Sequence, residues 1–231
     1  MKDFSSVSPL RVLDKSSRGG LGKGNMGVLM ARAGVGKTAC LIHIAFDKLF
    51  RKEKLVHISL EDVPEKITSY YNVIFNDLVK ALNWQNENDL RMLVERNRMI
   101  LSYLNRSFQT GRLRENLRNL IERVDFAPDT LIVDGVDFST ASREFMEEFR
   151  GLAAEFQVET WFSARAHRHI QEVNERGIPY PCNHLDDLFG IIVQLLPAES
   201  GLELRLLKDH DGPAAPDASV FLDPNTFLLM A

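Results

Sequence analysis

Lys37 and Thr38 close an eight-residue stretch, ARAGVGKT at positions 31–38, that also holds Gly34 and Gly36. A lysine ammonium is a compact cation, a threonine hydroxyl is a hard oxygen donor, and glycines let a backbone curl with its N–H groups turned inward. These are the groups that hold phosphate oxygens and a divalent cation. The pattern is that of a phosphate-binding loop, G-x-x-x-x-G-K-[ST], in which Lys37 reaches the terminal phosphates and Thr38 offers an oxygen to Mg²⁺. Backbone N–H groups of Ala33, Gly34, Val35, Gly36, Lys37, Thr38 and Ala39 would line the cradle. Such a loop must sit between a strand and a helix. Residues 26–30 (MGVLM) form a short apolar run of strand type, and residues 39–46 (ACLIHIAF) carry apolar side chains at helical spacing. Ala31 stands where the pattern has its first glycine; alanine resists positive φ, so the expectation is that Ala31 merely ends the strand.

Two carboxylates are placed for the same chemistry. The strand-like run 54–60 (KLVHISL) ends at Glu61 and Asp62, and in open α/β sheets the ligand lies at the carboxyl ends of the strands. Glu61 is the candidate to polarise an attacking water. Residues 130–134 (TLIVD) make an apolar strand capped by Asp134, a pattern that matches a Walker B strand with Asp134 as a Mg²⁺ ligand. Gly135 follows, so no carboxylate stands directly after that aspartate. The base must come from elsewhere, with Asp62 and Asp137 behind Glu61 in order.

The chain that must position these groups has 231 residues, enough for one α/β domain with a large core, and a formal charge of −4. That charge argues against a surface that grips nucleic acid throughout. Two cysteines, Cys40 and Cys182, make no disulfide framework, and with His184 too few ligands for zinc. No signal peptide and no membrane-spanning run is evident, and the expectation is a reduced, cytoplasmic protein without membrane partners. Residues 1–15 read as a loosely held lead-in with an apolar patch at 10–13. Residues 63–124 read as a helical segment within the single domain, with one helix from Pro64, a second over 89–108, an interruption at Gly111 and a third over 112–124. Its arginines, Arg91, Arg96, Arg98, Arg106, Arg112, Arg114, Arg118 and Arg123, alternate with Asp89, Glu95, Glu115 and Glu122. The favoured reading is a solvated or subunit-contacting face rather than a nucleic-acid track. A helix over 139–156 is capped by Ser139 or Thr140, and a strand over 158–162 ends at Ser163. Residues 164–187, with Arg165, His167, Arg168, His169 and Arg176, read as a long mobile basic loop. Paired strands at 190–196 and 202–207 follow, with 219–222 and 226–230 extending the sheet.

The stretch GGLGKGNMGVLMARAGVGKT resembles the entry to the nucleotide site of RecA-like ATPases, especially the KaiC and replicative-helicase (DnaB, RadA) branches. The resemblance covers nearly the whole chain and implies a twisted, mainly parallel sheet flanked by helices, with ATP and Mg²⁺ at the strand ends. In such proteins a glutamate after the strand preceding Walker B serves as catalytic base, as Glu61 would here. The strand ending at Ser163 would lie between the loop strand and the Walker B strand, so that Ser163 either senses the γ-phosphate or merely closes a strand. Residues 164–187 would correspond to central-pore loops. The turn 208–212 (KDHDG) resembles the Lys-x-Arg segment with which a neighbouring subunit completes the γ-phosphate site; Lys208 matches, and His210 replaces the arginine. The alternative there is a polar turn ending a hairpin. The resemblance implies a homo-oligomer, ring or filament, and an ATPase driving a conformational or assembly change. A nucleotide switch with negligible turnover and a DNA-directed motor are the other readings.

Overall fold

The computed structural model describes residues 4–14, 16, 19–103, 108–167, 170–215 and 218–230. Arg106, Arg168 and His169 lie outside them. Nine strands form one sheet: β1 Met26–Arg32, β2 Leu55–Ser59, β3 Arg98–Ser102, β4 Thr130–Asp134, β5 Glu159–Ala166, β6 Ile191–Ala198, β7 Gly201–Asp209, β8 Gly212–Pro213 and β9 Ser219–Leu222. Their order is β3-β2-β4-β5-β1-β6-β7-β8, with β9 on β7. The first six in that order run parallel, and β7 turns back antiparallel on β6.

The inner parallel strands are largely apolar because both faces are covered. Val28 and Met30 point to one core and Leu29 and Ala31 to the other. On the Leu29 and Ala31 face pack α1 Lys37–Phe50, α2 Pro64–Leu82 and α3 Glu87–Asn97; on the Val28 and Met30 face pack α4 Thr110–Val124 and α5 Arg143–Phe156. Helix α2 buries Ile67, Tyr71, Phe75 and Leu78 at helical spacing, whereas Tyr70 and Val73 face outward. The arrangement puts the carboxyl ends of β2, β4, β5 and β1 side by side.

Several boundaries differ from the sequence-based expectation. The pattern over 89–108 is not one helix: α3 ends at Asn97, and Arg98–Ser102 leaves it directly as the edge strand β3, paired in parallel with β2. Five residues, RMILS, fit either period, and the open edge of β2 decides between them. Arg98 then lies 4.2 Å over the Tyr71 ring. Gly111 sits in the first turn of α4 instead of breaking a helix. Helix α5 starts at Arg143, four residues later than expected, with the Ser142 hydroxyl accepting from the Phe145 N–H at 3.2 Å. Ser139 and Thr140 instead bond the Asp137 carboxylate. Residues 4–14 of the lead-in are tightly held: Phe4 is buried edge-on to Phe50 and Trp84, and Pro9–Leu13 forms a 3₁₀ turn that buries Val12 and Leu13. Residues 178–185 are also built in, with Ile178, Cys182 and Leu185 in the core, and a Val173–Pro179 bridge closes the exposed stretch before them. Residues 226–230 contribute one bridge, Leu222 to Leu229, rather than a strand.

Gly27 lies opposite Trp161 across the β1–β5 ladder, and a Cβ there would stand 2.9 Å from two carbons of the buried indole. Gly27→Ala should therefore displace Trp161 and cost about 1–3 kcal/mol. Urea unfolding should show a lower midpoint at unchanged slope; an unaltered midpoint would refute this packing.

Candidate functional site

Strand β1 delivers the chain to the loop. Ala31 is still a ladder residue, paired with Arg165 and Leu195, so its methyl group meets no left-handed backbone and the departure from the pattern costs nothing. The chain then leaves the sheet. Gly34 (φ 79°) and Gly36 (φ 102°) take the left-handed conformations that L side chains avoid, and Lys37 opens α1. No side chain caps this helix, so its first N–H groups face the loop, as a phosphate cradle requires.

Asp134, at the end of β4, gathers the neighbouring strand ends. Its Oδ2 accepts from the Thr38 hydroxyl at 2.7 Å, and its Oδ1 accepts from the hydroxyl of Ser163, which lies inside β5 and does not end it, since the strand runs on to Ala166. Its carbonyl accepts the Leu60 N–H at 2.9 Å, which pins the exit of β2 against the exit of β4. That contact brings Glu61 over Gly135. Gly135 has φ 94°, and a Cβ on it would lie 2.8 Å from Glu61 Cγ and 3.2 Å from Glu61 N. The space after the aspartate is already taken by the stem of Glu61, which gives a steric reason for the missing carboxylate at 135. Asp62 is drawn away: its carboxylate pairs with Lys66 at 2.7 Å and its carbonyl accepts the Ser102 hydroxyl. Asp137 is occupied by Ser139 and Thr140.

A cleft of ≈ 330 Å³ adjoins the loop, lined by Gly34, Gly36, Lys37, Thr38, Ala39, Ile42, Tyr70 and Ile74. Tyr70 lies on the outward side of α2, and the turn of the helix sets its ring beside the loop. Beneath the site, His57 is fully buried in β2, with Nδ1 3.1 Å from the Tyr71 hydroxyl and Nε2 without a partner among the described residues. Its one signal in the sequence is a polar residue inside an apolar strand. Burial lowers its pKa to about 4, against a smaller upward pull from Asp134.

Lys208 and His210 do not join this chain's loop. Lys208 pairs with Ile192, near the opposite end of β6 from Leu195, which pairs with Ala31. Its ammonium donates to the carbonyls of Asp186 and Phe189 at 2.5 and 2.7 Å, and His210 Nε2 lies 2.9 Å from the Gly20 carbonyl. A role toward a second subunit would require both side chains to leave these carbonyls. A larger cleft of ≈ 550 Å³ opens at that end, lined in part by Arg176, Asp187, Lys208 and His210. Its cations are largely spoken for, since Arg176 pairs with Asp186 at 2.9 Å.

In comparisons with known structures, the chain matches a solved ATPase domain with a TM-score of 0.69 and 16% identity, over 96% of this chain and 89% of that one. The fold is that of a RecA-like P-loop ATPase domain. Among curated proteins it is similar to the DnaB-like replicative helicase of Enterobacteria phage T4, 26% identical over 185 residues. That match takes in 68% of this chain and 38% of the phage protein, so the chain spans well under half of its relative's length. No family model matches. Within the RecA-like sheet, β5 does lie between β4 and β1. Among the described residues, no helix is long and apolar enough to cross a membrane.

The buried histidine gives the site's surroundings a pH signature. His57 is neutral when folded, whereas in the unfolded chain it takes up a proton below about pH 6.5. Its contribution to stability is complete above that value and is lost as pH falls toward 4. Between pH 7 and pH 5, His57→Gln, which keeps a partner for Tyr71 and does not titrate, should lose about 2 kcal/mol less stability than the unsubstituted protein. Equal losses in urea titrations at the two pH values would show that His57 is not buried as a neutral ring.

Proposed function

We propose that the chain binds ATP with Mg²⁺ at this loop and hydrolyses it to drive a conformational or assembly change. The observation that carries the proposal is the meeting of Lys37, Thr38, Asp134 and Glu61 at neighbouring ends of one parallel sheet. The Thr38 hydroxyl and the Asp134 carboxylate, 2.7 Å apart, suit Mg²⁺, which takes few protein oxygens and fills its remaining positions with water and phosphate. When bound, the ion supplies neutralisation of charge on the transferring phosphoryl group.

The chain's own residues do the rest. Free N–H groups at the start of α1 and the Lys37 ammonium hold the phosphates. Ser163, through its hydrogen bond, fixes the rotation of the Asp134 carboxylate. Glu61, held over Gly135, orients a water in line with the γ-phosphorus. The water oxygen forms a bond to phosphorus as the bond to the β–γ bridging oxygen breaks, and ADP leaves. The cleft beside the loop offers the Tyr70 ring and the aliphatic Ile42 and Ile74 to the nucleobase.

A DNA-directed motor is a second reading, suggested by the helicase description of the phage relative and by Arg165 and His167, both exposed near the carboxyl end of β5. The arginines of the helical segment favour it less. Arg114 and Arg118 share Glu155 at 2.8 and 2.6 Å, and Arg91 pairs with Glu87 at 2.9 Å, as on a solvated face. Binding to single-stranded DNA that weakens steeply with salt would favour the motor. A homo-oligomer with ATP between subunits belongs to either reading.

Lys37→Ala should abolish ATP binding measured by calorimetry. Glu61→Gln should leave binding intact and lower turnover by about 10²- to 10⁴-fold. Gly135→Ala should act in the same direction by crowding Glu61, with affinity kept. Unchanged ATP affinity in Lys37→Ala would overturn the site, and unchanged turnover in Glu61→Gln would remove that residue from the chemistry. ATP binding without turnover in the unsubstituted protein would make it a switch.

A further inference from the structure

Phe227 is the residue that the reading above leaves without a role. Its backbone is left-handed, φ 53°, a conformation in which an aromatic residue is strained and glycine or asparagine would be at ease. A turn enforces it. Asp223 Oδ1 accepts from the Asn225 N–H at 3.0 Å, the Thr226 N–H at 2.8 Å and the Thr226 hydroxyl at 3.0 Å. The Phe227 N–H donates to the Asp223 carbonyl at 2.8 Å, and the Asp223 N–H to the Leu228 carbonyl at 2.9 Å.

The strain places a ring against the phosphate loop. The three atoms nearest to a Cβ built on Gly36 all belong to the Phe227 ring, and that Cβ would collide with it. Gly36 is the left-handed pivot from which α1 starts. The ring also stacks on His43, two turns further along α1, with centroids 5.6 Å apart and planes at 26°. The same turn is tied to the sheet. The Met230 N–H donates to the Phe221 carbonyl in β9 at 2.8 Å, the Leu229 N–H donates to the Val7 carbonyl at 2.8 Å, and β9 pairs with β7.

We propose that the turn at residues 223–228 braces the phosphate loop, with Phe227 as a positioning residue that couples nucleotide occupancy to the β7–β9 edge of the sheet. The coupling part rests on the nucleotide-site reading; the brace itself rests only on the contact between the ring and Gly36. Coupling of this kind is reciprocal: if the braced loop binds nucleotide more tightly, nucleotide must hold the brace more firmly.

Amide hydrogen exchange and ATP calorimetry on the full chain test both parts, using Phe227→Ala, the milder Phe227→Leu, and Leu228→Ala. Leu228→Ala trims a buried side chain of the same turn without touching Gly36 and controls for general loosening. Without nucleotide, Phe227→Ala should speed exchange at the Val35 and Cys40 amides, which bond Arg32 and Gly36 carbonyls. Leu228→Ala should leave them slow, and Phe227→Leu should fall between. With nucleotide, Phe227→Ala should weaken ATP on the order of tenfold, and ATP should slow exchange over 223–230 in the unsubstituted protein. Unchanged loop exchange in Phe227→Ala, or an equal rise in Leu228→Ala, would overturn the brace. If Phe227→Ala does not fold, the Phe227→Leu and Leu228→Ala comparison decides on the same terms. Failure of the unsubstituted protein to bind ATP would sink the nucleotide reading and the coupling, while exchange in the free protein would still decide the brace.

Discussion

One carboxylate ties the site together. Asp134 accepts a hydroxyl from the helix after β1 and a hydroxyl from β5, and its carbonyl accepts an N–H from the chain leaving β2. Three segments distant in sequence are therefore fixed relative to one side chain. The order β2-β4-β5-β1 makes this possible, because parallel neighbours bring their carboxyl ends to one rim, where the chain leaves the sheet and backbone groups become available to a ligand. Covering both faces of that sheet with helices keeps the strand interiors dry and apolar. The charged chemistry is pushed to the rim.

The same register explains an exchange of roles between two positions. A carboxylate directly after Asp134 would have to share its space with the chain leaving β2, and the Cβ position on Gly135 is 2.8 Å from Glu61 Cγ. Gly135 at φ 94° and Glu61 at the end of β2 are thus one feature read at two places in the sequence. The far side of the loop has a comparable economy: Gly36 has no side chain, and the Phe227 ring lies where one would be.

Much of this was legible beforehand, for a physical reason. Buried parallel strands must be continuous apolar runs, so 26–30, 54–60 and 130–134 are legible as strands, and the residue that ends each run falls at the rim where the candidate site lies. What the sequence hid depends on partners far along the chain. RMILS at 98–102 became a strand because β2 had an open edge, Phe4 and Val12 became core because α1 offered a surface, and Tyr70 turned toward the cleft while Tyr71 turned inward. Lys208 and His210 show the limit of a short local pattern within one chain. The pattern suggests a contact to a neighbouring subunit's phosphate site, and the antiparallel return of β7 sets Lys208 beside Ile192, away from this chain's own loop.

The central claim is that this rim binds ATP and Mg²⁺ and breaks the terminal phosphoanhydride. Phosphate release by the purified chain, followed over a range of protein concentrations with Mg²⁺ present and then chelated, addresses it most directly. The account predicts turnover that vanishes on chelation, with specific activity that rises with protein concentration if subunits complete one another's sites. Phosphate release that persists at the same rate without Mg²⁺, or no phosphate release at any protein concentration, would contradict it.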